Sequence, residues 1–563
     1  MRRTTPEIIE VDEQRFNEML QRAEAGTFTQ EDYQTVSKLI VSYVHLTELI
    51  DDKNTSIRRL RKLLFGAATE KTRDVIGEDS NQEQPKPPPA EEEEASSAEE
   101  DPSTNAKRRR KGHGRNGASK YTGAEKIKVP HGSLEAGDPC PECEHGTVYE
   151  QANPGVIIRI TGRAPLQAKV YELEKLRCNL CGTIFTAEPP AGIGEKKYDA
   201  TAASMIALLK YGSGMPFNRV EGLQGGVGVP LAASTQWEIV NACGTTIQPA
   251  FVELIDQAAQ GDVLHNDDTT VKILEFMGKR RKRWLRAQRS NENAAESSTS
   301  ERTGLFTSGI VAIREGHTIA LFFSGHQHAG ENLKDVLAKR AAELAAPIQM
   351  CDGLSRNLPG ELETIVANCL AHGRRKFVDV VDSFPEECRY VLESLKKVYH
   401  NDELARVEDL TPAARLELHQ TQSGPVMESL HRWLTRQLDD HLVEPNSSLG
   451  QAINYLLKRW EKLTLFLREP GAPLDNNICE RALKKAILHR RNSLFFRSAN
   501  GARVGDLFMS LIYTCQLCDA NPLDYLTELQ RHAEELAADP QRWMPWNYRE
   551  TLDGIPMPAE AAC

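Results

Sequence analysis

Residues 78–106 divide the chain, because this segment is rich in Pro, Glu, Ser and Ala and poor in large apolar side chains. A segment with so little apolar surface cannot offset the entropy that it would lose on ordering. We therefore predict an acidic, disordered linker over residues 78–106. The linker separates an N-terminal segment, residues 1–77, from the larger part of the 563-residue chain, so we expect several domains.

The negative charge of the chain is concentrated in the same linker. The formal net charge is −11, and residues 78–101 carry ten acidic side chains and one basic one, which leaves a net charge of −2 for all other residues. The acidic total therefore does not exclude a nucleic-acid partner. No apolar run approaches the roughly 18 residues of a membrane span, and none follows the basic N-terminus as in a signal peptide, so we predict a cytoplasmic protein.

The N-terminal segment has a helical pattern. Between residues 13 and 76, apolar side chains recur mostly at steps of three and four. The pattern suits a coiled coil or helical hairpin that pairs with a second copy, which would make the protein a homo-oligomer. It equally suits a helix packed within its own domain, and both interpretations stay open.

A basic segment follows the linker. Residues 107–128 contain nine Lys or Arg side chains and a single acidic one, Glu125. Such an arm can neutralise DNA phosphates, although a run of charge is also typical of a solvated surface. The residues that we predict to contact DNA here are Arg108, Arg109, Arg110, Lys111 and Arg115.

Two Cys-x-x-Cys pairs predict a metal site. Cys140 and Cys143 form the first pair, Cys178 and Cys181 form the second, and 34 residues lie between them. Four thiolates suit one structural Zn²⁺ in tetrahedral coordination, with His145 as a possible substitute ligand. Strand-like stretches at 156–160 and 169–173 predict a zinc ribbon, within a module over residues 107–190.

Residues 191–260 have the pattern of helices, interrupted at Pro216 and at 225–230. Ser234 or Thr235 is expected to cap the helix that follows. A helix, a glycine turn and a second helix resemble a DNA-binding helix-turn-helix unit, but ordinary packing helices have the same pattern.

Two strand ends supply candidate catalytic aspartates. A strand from residue 263 ends in Asp267 and Asp268, and a second strand is expected to follow the acids within the stretch that runs to Leu274. The apolar strand 348–351 runs into Asp352, which places this carboxylate at the edge of a sheet, where ligands bind in α/β folds. Further elements predicted between them are strands at 304–313 and 318–323 and a helix near 331–344.

A third acid, Glu480, lies at the start of a helix that Asp475 or Asn476 is expected to cap. Two aspartates and a glutamate that meet at one sheet edge could bind a pair of hard cations, Mg²⁺ or Mn²⁺, for phosphoryl transfer. Between Glu480 and Arg503 the chain has seven basic side chains and one acidic one. The basic residues predicted to hold DNA around the acids are Arg374, Arg375, Arg481, Lys484, Arg490, Arg491 and Arg497.

Longer motifs along nearly the whole chain agree with one another. They are Leu60–Gly66, Lys111–Arg115, Ala371–Phe377, Asn454–Trp460, Leu474–Asn477 with Glu480-Arg481, Arg491-Asn492, and Asn521–Leu526. In this order the motifs resemble the insertion-sequence-sixty-six family of bacterial DDE transposases.

The resemblance implies a multidomain α/β protein with a ribonuclease-H-like catalytic core. The core would be split into residues 261–375 and 471–515 by a helical insertion over 376–470, with a C-terminal tail over 516–563. The resemblance assigns the three catalytic, metal-binding acids to Asp267, Asp352 and Glu480.

The sequence departs from the family pattern at three points. Asp268 stands where the family has glutamate and so competes with Asp267 as the first ligand; we rank Asp267 first. Leu354–Asn357 replaces the aromatic residues that usually follow the second aspartate, and Asn492 lacks the usual tryptophan after it.

The resemblance implies an enzyme that binds the ends of a mobile element, hydrolyses a phosphodiester and joins the freed 3′-hydroxyl to target DNA. It would use two Mg²⁺ or Mn²⁺ ions and one Zn²⁺, on the bacterial nucleoid, with or without accessory proteins of the same element. Two alternatives remain: a catalytically inactive or repurposed DNA-binding zinc protein, and a nuclease without strand transfer.

Overall fold

The computed structural model describes residues 196–278, 280 and 303–555. It also describes shorter stretches nearer the N-terminus, namely residues 19, 21–23, 27, 29–39, 136–138, 147–148, 164–177 and 184–190. The chain divides into two compact units, of which one comprises Met1–Glu83 with Val381–Arg389 and the other Gln84–Val380 with Tyr390–Cys563.

In the first unit, residues 30–39 are helical. Asp32 accepts a hydrogen bond from the Thr29 N–H at 2.9 Å and pairs with Arg22 at 2.8 Å. The Arg22 guanidinium holds the pKa of the Asp32 carboxyl well below its usual range. Most of the predicted coiled-coil segment, residues 13–76, lies outside the described residues, so the coiled coil stays a prediction.

The second unit holds all the strands of the described residues and most of the helices. The strands are β1 Lys175–Arg177, β2 Ile184–Thr186, β3 Val263–Thr270, β4 Phe306–Arg314, β5 His317–Gly325, β6 Ile348–Cys351 and β7 Ile365–Asn368. The helices in the first half are α1 Ala200–Ala207, α2 Phe217–Gly226, α3 Ala233–Thr246, α4 Gln248–Ala259, α5 Ala329–Leu337 and α6 Leu370–Val378. Those that follow are α7 Pro385–Val407, α8 Pro412–Leu418, α9 Gly424–Asp439, α10 Ser448–Leu457, α11 Trp460–Leu463, α12 Asn477–Ser493, α13 Ala499–Leu517, α14 Pro522–Arg531, α15 Ala533–Ala538 and α16 Tyr548–Asp553. The first five residues of α7, Pro385–Arg389, are assigned to the first unit.

Five strands form one mixed sheet in the order β5-β4-β3-β6-β7. Strands β3, β4 and β5 are antiparallel neighbours, whereas β6 and β7 run parallel to β3. This architecture agrees with the α/β class predicted from the sequence. The main hydrophobic core joins β3, β4 and β5 to helices that include α1, α3, α4, α12 and α13.

Local patterns predicted some elements better than others. The strand at 348–351 is confirmed, but the second strand expected between the acids and Leu274 is wrong: β3 continues to Thr270, and Leu274–Phe276 forms a 3-10 turn. The Val271 N–H donates to the Leu305 carbonyl at 3.0 Å, and the Phe496 N–H donates to the Lys272 carbonyl at 2.8 Å. These are isolated backbone bonds and a single bridge, so the segment forms no further strand of the sheet. The expected strand at 169–173 is also wrong, because no regular element forms there and the hairpin strand β1 begins only at Lys175.

The turn between α2 and α3 is held by a buried glutamine. Helix α3 begins at Ala233, with Ala232 as its N-cap, so the predicted capping role of Ser234 or Thr235 is wrong. Gln236, which is fully buried, instead donates to the carbonyls of Phe217 and Leu231 at 3.1 and 3.0 Å. Gln236, three residues after the first residue of α3, therefore binds the preceding loop in place of an N-cap side chain.

Helix α13 lies along the outer strand β5, and three polar side chains join them. Thr514, Ser510 and Asp506 accept hydrogen bonds from the N–H groups of Ala320, Phe322 and Ser324 at 3.1, 2.9 and 2.7 Å. Four residues of helix rise about 6 Å and two residues of strand about 6.7 Å, so the two repeats stay nearly in step. We call this set of contacts the helix–strand seam.

No helix of the described residues is both long enough and apolar enough to cross a membrane.

Candidate active site

Parallel pairing of β3 with β6 brings two predicted acids side by side. Val263 pairs with Ile348 and His265 with Met350. The same register, continued for two residues, sets Asp267 opposite Asp352, which directly follows β6. Neighbouring strands lie about 4.8 Å apart and paired residues point to the same side, so both carboxylates lie at one edge of the sheet. We call this region the acid edge.

Glu480 reaches the acid edge from the first turn of α12. The preceding residue, Cys479, donates from its thiol to the Gly309 carbonyl at 3.3 Å, and Gly309 is the β4 partner of Asp267. Because Gly309 has no Cβ, α12 packs closely: an added Cβ would lie 3.0 Å from Leu483. The close packing on β4 places the start of α12 beside Asp267.

The electrostatics of Asp267 reflect this convergence. The pKa of Asp267 is raised to about 7, mainly by burial, and the negative charges of Asp352, Asp268 and Glu480 add to the shift. One hydrogen bond, from the Asp268 N–H at 2.8 Å, opposes it. Carboxylates that repel one another in this way are favoured in their ionised forms by a cation among them. Their hard oxygen atoms suit Mg²⁺ and Mn²⁺.

Asp268 has a different environment from Asp267. Its side chain is only 2% exposed and contacts His328 Nδ1 at 2.7 Å and Arg356 at 3.4 Å. Successive side chains of a strand point to opposite faces. Asp267 is therefore the aspartate on the face shared with Asp352, while Asp268 is held by partners of its own.

Beneath the acid edge, buried amide side chains connect the elements that carry the acids. Asn476, the N-cap of α12, lies with its Oδ1 3.1 Å from His265 Nδ1 and donates to the Asn266 carbonyl at 3.1 Å. Asn266 and Gln349 both donate to the Asn357 carbonyl at 2.7 Å. Burial lowers the pKa of His265 to about 4, so its ring is neutral at pH 7 and donates from Nδ1 to Asn476. The predicted capping position is confirmed, but the Asn476 side chain binds β3 rather than its own helix.

The loop after β6 fixes Asp352. Its Oδ1 accepts hydrogen bonds from the Leu354 N–H at 3.1 Å and from the Asn357 side chain. Helix α5 lies directly against this loop, since a Cβ on Gly330 would be 2.2 Å from the Leu358 carbonyl oxygen. The 3-10 turn Ser355–Asn357 thus occupies the place where the family resemblance led us to expect aromatic residues.

Most of the predicted DNA-contacting residues around the acids are exposed. Arg481, Lys484 and Arg491 are exposed on α12 at steps of three and seven, so they lie along one side of the helix. Arg375 on α6 is 3.9 Å from Glu480 Oε2, with Arg374 beside it in sequence. Arg497 is exposed beyond the end of α12.

Arg490, also predicted to contact DNA, binds other residues of the protein. It is half-buried and donates to the hydroxyl groups of Thr269 and Thr270 at 3.2 and 2.8 Å. These bonds attach the last turn of α12 to the end of β3.

Two residues near Glu480 had no role in the sequence analysis. His372, on α6, has Nε2 3.7 Å from Glu480 Oε1, and Cys369 precedes α6 as its N-cap. His372 belongs to the motif Ala371–Phe377, which carries part of the family resemblance. The Cys-x-x-His spacing of Cys369 and His372 was the signal that could have identified both residues.

The predicted zinc ligands Cys140, Cys143, Cys178 and Cys181 lie outside the described residues, as do His145 and the basic arm with Arg108, Arg109, Arg110, Lys111 and Arg115. The two strands β1 and β2 lie on either side of the second cysteine pair in the chain. The zinc site and the arm therefore stay predictions.

Comparison with known proteins gives a consistent result. A sequence model of the transposase IS66 family matches residues 196–504, which is more than half of the chain and includes Asp267, Asp352 and Glu480. The family predicted from the motifs is thereby confirmed.

Three proteins of Sinorhizobium fredii are similar to this chain, and all three are described as uncharacterized. Protein y4qI is 29% identical over 357 residues, or 62% of each chain. Protein y4hP is 26% identical over 68% of this chain and 69% of its own length, and y4jD is 27% identical over 69% and 73%. The alignment thus spans less than two thirds of the length of y4qI.

Proposed function

Given that this chain belongs to the IS66 family of transposases, we propose that it is a DDE-type DNA transposase that cuts and joins DNA at the acid edge. The observation that carries the proposal is the meeting of Asp267, Asp352 and Glu480, whose charges act on one another. The sheet order also supports a ribonuclease-H-like core, since three antiparallel strands are followed by two strands parallel to the first.

The donor set fits the ions that this chemistry requires. Asp267, Asp352 and Glu480 offer only oxygen atoms, and Oε1 of Glu480 is buried without a hydrogen-bond partner among the described residues. Two Mg²⁺ or Mn²⁺ ions held there would stabilise both the attacking and the leaving oxygen of a phosphodiester.

The residues of the chain hold and orient the reacting groups. The buried amide network keeps β3, β6 and α12 in fixed relation, so the three carboxylates need little rearrangement on binding. Arg481, Lys484 and Arg491 on α12 contact phosphates of the DNA backbone. Water first cleaves a phosphodiester at the element end and leaves a 3′-hydroxyl, which then attacks a phosphodiester of the target DNA.

The remaining parts of the chain would serve assembly and end recognition. Cys140, Cys143, Cys178 and Cys181 would hold one structural Zn²⁺, a ligand set that suits this ion. The basic arm over residues 107–128 would follow the DNA backbone, and the N-terminal helical segment would pair copies of the chain.

The test is a transposition assay with the complete element, in which only this chain is altered and any accessory proteins are supplied. Glu480→Gln is compared with Glu550→Gln, a control on the exposed face of α16. We expect Glu480→Gln to abolish cleavage. The full-length variant should still bind a DNA fragment that carries the element end, as measured by a gel-shift assay. The control should transpose as the wild type does.

Three other outcomes would contradict the assignment of Glu480 or favour one of the two alternative functions. Full cleavage by Glu480→Gln would show that the assignment of this acid is wrong. A wild-type chain that binds the ends but never cuts them would support the repurposed DNA-binding protein. Cut ends without joined products would support a nuclease that lacks strand transfer.

A further inference from the structure

Sulfur, nitrogen and oxygen donors meet on one side of Glu480. The donor atoms of Cys369, His372 and Glu480 all lie within 4.8 Å of one another. Cys369 directly follows β7, His372 is three residues later in α6, and Glu480 comes from α12. The junction of β7 with α6 therefore presents two donors to the same carboxylate that faces the acid edge.

Two polar atoms of this cluster are buried and lack hydrogen-bond partners among the described residues. They are Nδ1 of His372 and Oε1 of Glu480. The 3.7 Å between His372 Nε2 and Glu480 Oε1 is too long for a hydrogen bond. Buried polar atoms are rarely left unpaired, so the cluster is incomplete as a hydrogen-bonded arrangement.

The sulfur atom of Cys369 is arranged as an acceptor. Cys369 is fully buried, and its Sγ accepts a hydrogen bond from the Asn476 N–H at 3.2 Å. Cys369 is also the N-cap of α6, and burial raises the pKa of its thiol to about 12, so the thiol keeps its proton until an ion replaces it. The side chains of His372 and Glu480 are each 26% exposed, so an ion has a path from solvent.

We propose that Cys369, His372 and Glu480 form a binding site for a thiophilic divalent cation such as Zn²⁺. Sulfur and imidazole ligands select Zn²⁺ over Mg²⁺, and three protein ligands leave a fourth position open to water. Ligand atoms around a tetrahedral Zn²⁺ lie roughly 3.3–3.6 Å apart, given its bond lengths, so the side chains need to close by about 1 Å. On binding, the Cys369 thiol releases its proton to solvent and the thiolate forms the bond to the ion.

The site has a consequence for activity, and this part rests on the proposed function. The same oxygen atoms of Glu480 cannot coordinate both a Zn²⁺ ion between Cys369 and His372 and a Mg²⁺ ion at the acid edge. Zn²⁺ is therefore expected to inhibit Mg²⁺-dependent strand cleavage, and a chelator selective for Zn²⁺ should restore it.

The binding test uses Co²⁺ as a probe, because a cobalt–thiolate bond gives a charge-transfer absorption band. The full-length protein is isolated with its tightly bound zinc, so that the four cysteines of the predicted module are occupied alike in all variants. Co²⁺ is then titrated into the wild type, Cys369→Ser and Cys243→Ser, the last being a control at another buried cysteine. We expect the band in the wild type and in Cys243→Ser and its loss in Cys369→Ser.

A second variant keeps the test decisive if Cys369→Ser does not fold. His372→Gln removes one ligand and leaves the thiol, so the band should form with an affinity weakened by at least about tenfold, as even indirect changes at metal sites do. Equal Co²⁺ binding by the wild type and by a folded Cys369→Ser or His372→Gln would overturn the site.

The two proposals fail separately. A cobalt–thiolate band that depends on Cys369, in a protein that never cleaves DNA, would keep the site and reject the transposase chemistry. Cleavage that Zn²⁺ does not inhibit, together with identical Co²⁺ spectra of the wild type and Cys369→Ser, would reject the site and keep the transposase chemistry.

Discussion

The acid edge and the helix–strand seam each contain a buried aspartate, but the two side chains have different surroundings. Burial raises the pKa of Asp506 in the seam to about 8, and the pKa of Asp267 at the acid edge is about 7. At the seam, hydrogen bonds from the N–H and the hydroxyl of Ser324, both at 2.7 Å, oppose the shift. At the acid edge, three further carboxylates increase it.

The difference shows what marks a candidate catalytic group. A raised pKa by itself is shared by a residue that only joins a helix to a strand. Convergence of several acids from separate elements is what distinguishes Asp267, because no fold needs such repulsion for stability. The comparison therefore predicts large effects on activity at the acid edge and effects on stability alone at the seam.

The largest effect is expected from the same substitution made in both regions. Asp267→Asn should lower transposition on the order of 10³-fold, since metal ligation contributes several kcal/mol to such reactions and about 1.4 kcal/mol is a factor of ten. Asp506→Asn should leave transposition close to the wild-type level. Equal losses in the two variants, measured by counting transposition events, would remove the distinction.

A smaller effect is expected where α5 lies against the Asp352 loop. Gly330→Ala places a Cβ against the Leu358 carbonyl, which should lower the free energy of unfolding by about 1–3 kcal/mol and displace Asp352. The control is Gly222→Ala in α2, where an added Cβ meets nothing within 4 Å. It should be neutral or stabilising by up to about 1 kcal/mol. Urea denaturation of both variants measures the difference, and equal stabilities would contradict the close approach.

At the seam, Ser510→Ala leaves the Phe322 N–H buried without its acceptor. The expected loss is about 1–3 kcal/mol in the free energy of unfolding, the cost of an unpaired buried donor. The exposed Ser429→Ala serves as the control and should change the stability little. If Ser510→Ala unfolds at the same urea concentration as this control, the seam does not stabilise the fold.

The last prediction is a pH dependence of the stability. Because the pKa of Asp506 is raised from about 3.8 to about 8, the folded protein keeps a proton that the unfolded chain loses above roughly pH 4. This group therefore makes the free energy of unfolding fall as the pH rises from about 4 to about 8. Asp506→Asn should show a shallower decline over that range in thermal unfolding. Parallel curves for variant and wild type would show that Asp506 is ionised in the folded protein.

Local sequence patterns were sufficient to predict much of the acid edge. The strand at 348–351, the helix that begins beside Asn476 and the positions of Asp267, Asp352 and Glu480 all follow from short runs of sequence. Strand length, apolar runs and caps are properties of neighbouring residues, and the motifs supplied the family.

Contacts between distant residues could not be predicted in this way. The environment of Asp268 depends on His328, which lies 60 residues later, and Asn476 binds His265 across 211 residues. The polar residues Asp506, Ser510 and Thr514 have ordinary helical spacing, and only the position of β5 explains why they are buried. In each case the sequence gives the residue type, and packing decides what the side chain binds.

The helix–strand seam also limits how copies of this chain can assemble. An outer strand with unpaired N–H groups invites a strand from another molecule to extend the sheet. Along β5 the N–H groups of Ala320, Phe322 and Ser324 already donate to α13 of the same chain. A neighbouring molecule therefore finds these three donors already bound, which disfavours the addition of a sixth strand along this part of β5.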